Sequence, residues 1–107
     1  MSNEYPRENE LDQIKNWDHK QGYNSLIEYI KNIWWQPDWG FHLREGRDHI
    51  YRKKCMKLEL HTGGWSGNED IICSLQHNFL FWSMCWRMTK AGGHYWFEIN
   101  MDMWGVK

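Results

Sequence analysis

The spacing of apolar residues divides the chain into stretches of helical and of extended period. Leu11, Ile14 and Trp17 lie three apart, which predicts a short helix from Asn9 or Glu10 to Trp17. The polar run before Gly22 interrupts it. Asn24 is placed to cap a second helix, in which Leu26, Ile27, Ile30, Ile33 and Trp34 form one apolar stripe and which Pro37 ends. From Trp39 the period drops to two. Residues 39–61 predict a hairpin that turns near Glu45-Gly46-Arg47. Its second arm puts Met56, Leu58 and Leu60 on one face and Lys57, Glu59 and His61 on the other.

Ser66 and Glu69 have the spacing of a capping box, so a third helix is expected from there to about Asn78. Ile71, Ile72, Leu75 and Phe79 fall on its apolar face. The segment after Asn78 admits two periods. Trp82, Met84, Trp86 and Met88 alternate with Phe81, Ser83, Cys85 and Arg87 as a strand would, yet the same residues can continue a helix from 67 to 88. The strand reading is preferred, because "TKAGG" supplies a turn and "HYWFEI" a returning arm. The result is an α+β fold in a single domain over residues 1–107, ordered αα-ββ-α-ββ. Its mainly antiparallel sheet has helices on at least one face, and residues 1–8 form a flexible lead-in.

Composition changes this picture in one respect. Among 107 residues there are nine tryptophans, five tyrosines and four phenylalanines, enough rings to fill a small core and leave some at the surface. Thirteen basic and fourteen acidic side chains give a net charge of −1. That balance argues against nucleic acid and against an anionic membrane as general partners, although Arg44, Arg47, Arg52, Lys53, Lys54 and Lys57 form a local basic patch. The six histidines add positive charge as pH falls. Net charge near zero also suits self-association into a homo-oligomer. Three cysteines cannot all pair within one molecule, no CxxC occurs, and the N-terminus lacks an apolar signal segment. Free thiols in a cytoplasmic protein are the expectation.

Candidate chemistry concentrates in "HTGGWSGNED", residues 61–70. Gly63 and Gly64 allow a sharp exit from the strand, and glycines before a helix can expose amides to an anion. No lysine follows them, however, and Glu69 and Asp70 would repel a phosphate, so this is not a P-loop. Acid–base chemistry has better material. If the two hairpins lie side by side, His61 and His94 approach the same end of the sheet, where Glu69 and Ser66 would complete a hydrolytic or metal-dependent site. Ser66 is also wanted as a cap, and Asn68 stands where a G-x-S-x-G elbow needs its second glycine. Neither HExxH nor zinc-finger spacing occurs, so no metal and no cofactor is expected.

The aromatics offer a different use. Trp34, Trp35 and Trp39 bracket Pro37, and Trp65 sits in the glycine loop. Such rings can hold a sugar, a base or a protein, and Asn68, Glu69 and Asp38 are the polar groups beside them. A protein partner asks least of the sequence, since a few ring anchors with a polar rim suffice.

"LELHTGGWSGNEDII", followed by Phe81-Trp82 and "GGHYWFEI", resembles a group of small proteins encoded by bacteriophages and prophages. The resemblance covers residues 56–99 and implies a phage or bacterial cytoplasmic setting. It brings no activity, cofactor or catalytic residue with it. The expected function is therefore a small binding or accessory protein that recognises a macromolecular partner through Trp65, Trp35 and Trp39, with Asn68 beside them. The alternatives are a small enzyme using His61, Ser66, Glu69 and His94, and a structural homo-oligomer.

Overall fold

The computed structural model describes residues 5–105. Helix α1 spans Glu8–Lys15, and Glu10 reaches back to accept a hydrogen bond from the Arg7 amide at 2.8 Å. A single turn at His19–Gln21 leads to α2, Tyr23–Ile33. Asn24 does not cap this helix. Gly22 stands at the cap position, and the Asn24 amide instead donates to the Trp104 carbonyl at 2.6 Å, far along the chain. The helix stops at Ile33, before Pro37. That proline opens a four-residue helix, α3, Pro37–Gly40, where its missing N–H costs nothing.

Strands β1, Phe41–Arg47, and β2, Lys54–His61, pair antiparallel. Their turn lies later than Glu45-Gly46-Arg47. Gly46 faces Cys55 inside the ladder, and Arg47 faces Lys54. Asp48 sets the position. Its carboxylate accepts from the amides of Ile50, Tyr51 and Lys53 at 2.9, 2.6 and 3.0 Å, which closes the intervening loop upon it.

Helix α4 runs Ser66–His77, with Trp65 rather than Ser66 at the cap position and no side-chain cap. The expected capping box is absent because the helix begins one residue earlier than that box requires. Ser66 Oγ meets the Tyr5 hydroxyl, and Glu69 turns toward the Thr62 hydroxyl at 3.4 Å. The next segment is helical, not extended: α5 spans Phe79–Cys85, and only then does strand β3, Trp86–Lys90, begin. Asn78 causes both the break and the restart. It is buried, its oxygen accepts from the Phe81 amide at 3.3 Å, and its NH₂ donates to the carbonyls of Ile14 and Trp17 at 2.9 and 3.3 Å. One side chain thus caps α5 and holds the end of α1. The break also turns Phe79 outward, 81% exposed, and puts Phe81 in the core instead.

Strand β4, His94–Asn100, follows the glycine turn, and the short helix α6, Met101–Trp104, packs back on α2. The sheet is antiparallel in the order β1-β2-β4-β3. Its inner face contributes Phe41, Leu58, Leu60, Phe97 and Ile99 to one core with Ile14, Leu26, Ile30, Ile71, Leu75 and Phe81 from the helices. The α+β order therefore stands, with α3, α5 and α6 as short additions. The opposite face carries His42, Arg44, Lys57, Glu59, His61, His94, Trp96 and Glu98 in register. The buried residues of the helices lie with the inner face, so this outer face is left to polar and aromatic side chains. Among the described lead-in residues, Tyr5 is tied to Trp65 and Ser66 rather than free; residues 1–4 lie outside the described range.

Candidate functional site

The glycine loop between β2 and α4 is a joint on which three parts of the chain meet. Thr62 is buried, and its amide donates to the Gly93 carbonyl at 2.9 Å. Gly93 has φ of 84°, and a Cβ on it would lie 2.1 Å from the Thr62 hydroxyl, so only glycine lets the second hairpin turn close over this point. The Trp39 ring rests against Gly63 on the other side. Gly64, whose amide donates to the Thr62 hydroxyl at 3.3 Å and where a Cβ would meet nothing within 4 Å, marks the open edge of the loop.

Asn68, in the first turn of α4, is the side chain that fixes the aromatic surface. It is 1% exposed, its oxygen accepts from the Trp35 amide at 2.9 Å, and its NH₂ donates to the Trp35 carbonyl at 3.1 Å. A third, longer contact runs to the Thr62 carbonyl at 3.4 Å. Asn68 thus holds the backbone that carries the Trp35 ring and does not itself face a ligand. Trp35 is 40% exposed and stacks on half-buried Trp65 with ring centres 5.0 Å apart, and Tyr5 lies 5.5 Å beyond Trp65. Trp39 is 55% exposed. Trp34 is buried in the core and takes no part.

Beside this surface the sheet brings His61 and His94 into direct register. Their Nδ1 atoms are 2.7 Å apart, so one ring donates and the other accepts, and two protonated rings could not keep the bond. His61 Nε2 reaches the Glu59 carboxylate at 3.3 Å. Trp39, His42 and Trp96 surround His61 with ring centres 5.8 to 6.1 Å away. The four residues proposed for catalysis are divided between two places. His61 and His94 meet, while Ser66 faces Tyr5 and Glu69 faces Thr62. The carboxylate beside the histidines is Glu59, two residues back on the same face of the strand. A nucleophile next to the pair is missing among the contacts of the described residues. Nor do the described residues place three or more His, Cys, Asp or Glu side chains together to hold a metal ion.

A second charged cluster was not legible in sequence. Glu98, on β4, is buried and receives His49 Nδ1 at 2.9 Å, Arg87 Nε at 3.1 Å and Lys57 Nζ at 3.2 Å. Burial pushes its carboxyl up, but the bonds from His49, Lys57 and Arg87 together outweigh that and hold it below the ordinary glutamate range. Only the alternation of β4 hinted that Glu98 shares a face with Lys57. The cluster pins the β1–β2 loop to the sheet, a structural task.

Comparison of the chain with family models, with curated proteins and with solved structures returned no match. No helix among the described residues is long and apolar enough to cross a membrane.

Proposed function

We propose that this chain is a small binding protein that engages a macromolecular partner, a protein in the leading reading, through Trp35, Trp65 and Tyr5 with Trp39 at the margin. The observation that carries this reading is the Asn68 clamp. A buried amide is committed to the backbone of a tryptophan whose ring stays at the surface and stacks on Trp65, so the fold anchors that residue where its ring faces outward. Pre-oriented tryptophans with a polar rim are what a binding hot spot consists of, because little side-chain freedom remains to be lost on association. The resemblance of residues 56–99 to phage-encoded proteins supports an accessory role in a phage or bacterial setting.

The test is photo-crosslinking from position 38, next to Trp39, in bacterial extract. Trp35→Ala and Trp65→Ala, each shown folded by far-UV circular dichroism, should lose the crosslinked species. Capture that survives both substitutions would exclude the stacked pair as the contact surface. A second copy of the chain is the partner favoured by another patch, Phe79, Leu80, Met84, Trp86 and Met88, all exposed along α5 and the edge strand β3. Sedimentation of the chain alone separates the two: a dimer abolished by Phe79→Ser assigns that patch to self-association.

A further inference from the structure

The net charge of −1 conceals a strong separation. Residues 41–57, which form β1, its loop and most of β2, carry six basic and two acidic side chains, while the other ninety carry seven basic and twelve acidic. Arg44, Arg47, Arg52, Lys53 and Lys54 are all exposed. Of the carboxylates on the outer sheet face, Glu98 is satisfied by Lys57, Arg87 and His49, and Glu59 by His61. Glu98 is thereby neutralised, whereas Glu59 keeps its charge beside a neutral His61, and Lys54 is shared with Glu45 at 3.6 Å; Arg44, Arg47, Arg52 and Lys53 are the cations that face solvent. Rings accompany the charge. Tyr51 at the loop tip is 75% exposed, and Trp96 stands in the middle of the face with the Lys90 ammonium 5.8 Å from its centre.

We infer that this basic hairpin and the outer face behind it bind single-stranded nucleic acid. Arg44 and Lys57 face each other in the ladder and Arg47 and Lys54 do so three residue steps on, about 10 Å of track for a phosphate backbone that Arg52 and Lys53 continue into the loop. Tyr51 at the tip, and Trp96 beyond the Arg44–Lys57 rung at the other end, offer stacking surfaces to unpaired bases, which a duplex would keep hidden. An anionic lipid surface could use the loop tip, where Ile50 and Tyr51 are exposed among basic residues, but would leave Arg44, Trp96 and Lys90 idle. The single strand uses the tip and the face together. The inference does not depend on the Trp35–Trp65 surface, and variants there should leave it unchanged.

The experiment is fluorescence anisotropy with labelled twelve-nucleotide dT and rU strands, the matching duplex, and vesicles containing phosphatidylserine. Binding to the single strands should weaken about thirtyfold between about 50 and about 200 mM salt, as release of three or four phosphate counterions requires. Arg44→Ala with Lys53→Ala, both exposed and outside the core, should make the slope of log K against log salt shallower by about 1.4. Tyr51→Ala should cost about tenfold at constant salt. No single-strand binding at about 100 μM protein in low salt would overturn the inference. So would duplex binding of equal strength that Tyr51→Ala leaves unaltered, and so would vesicle binding without oligonucleotide binding.

Discussion

Replacing Asn68 by alanine tests the central structural claim, that one buried amide positions the surface tryptophans. The substitution removes two good hydrogen bonds to the Trp35 backbone, at 2.9 and 3.1 Å, and the weaker one to Thr62 at 3.4 Å. A typical intramolecular hydrogen bond contributes about 1 kcal/mol net, and a buried group left without a partner costs about 1–3 kcal/mol. Trp35 is partly exposed, so water can reach some of the vacated backbone. The expected loss is therefore about 2–3 kcal/mol rather than the sum of the full penalties. For a domain of this size that lowers Tm by roughly 10–20 °C. Urea unfolding followed by far-UV circular dichroism measures it without relying on the rings that move. Near-UV circular dichroism should at the same time lose the contribution of the stacked Trp35–Trp65 pair. Asn68→Asp should be worse than alanine at neutral pH, because it sets a carboxylate against the Trp35 and Thr62 carbonyls, which are both acceptors. A loss below about 0.5 kcal/mol, within the range of a neutral surface substitution, would refute the clamp. Equal losses for alanine and aspartate would refute the role given to its NH₂ group.

Four further outcomes rest on buried polar groups and thiols. Tyr23 is fully buried with its hydroxyl unpaired, and burial first, then the nearby Cys85 and Asp18 charges, push its pKa up to about 12; Tyr23→Phe should raise stability by up to about 1 kcal/mol in the same urea assay. Of the thiols only Cys73 is exposed, so iodoacetamide should label one site in the native chain and three after unfolding. Burial pushes Cys85 from an ordinary 9.0 up to about 12, so the stability that its neutral form contributes is full below pH 9 and lost as pH rises between those values. Glu98 has the opposite sign. Its lowered pKa contributes stability above the ordinary glutamate value of 4.5 that is lost as pH falls through the folded value, so Glu98→Gln should flatten the acid limb of Tm against pH.

The long-period signals were readable because they are redundant. In α2 the stripe of Leu26, Ile27 and Ile30 and in β2 the alternation of Leu58 and Leu60 each repeat one message over several residues, and each of these side chains is buried. The errors share a single cause. Asn24, Ser66 and Glu69 all have the residue type and spacing of local caps, and all three make contacts elsewhere. At Asn78 the reverse happened: an ordinary asparagine caps α5 because its NH₂ also finds the end of α1. The period of "FLFWSMCW" could not decide between strand and helix, since rings dominate both faces. What decided it was that tertiary anchor. Asp48 moved the first turn in the same way, by offering a carboxylate to three amides when Gly46 offered only backbone freedom.

The same distinction separates the legible part of the site from the rest. That His61 and His94 meet could be argued from two strand ends and two hairpins, because sheet pairing converts sequence position into distance. Their carboxylate partner comes from the same pleat: Glu59 sits two residues before His61 and so shares its face, whereas Glu69 belongs to a helix whose start depends on the glycine loop. By composition alone that loop suggests catalytic or phosphate-binding chemistry. Gly63 serves the approach of Trp39, Gly93 of the second hairpin turn lets that turn close over Thr62, and Asn68 serves Trp35. A polar residue inside such a loop is therefore informative in proportion to the backbone groups left without partners nearby. The chain breaks its helix after Ile33 and resumes at Pro37, which strands the Trp35 amide and carbonyl between two helices. Asn68 is the group that answers them, and the tryptophan at the surface is a consequence of that repair.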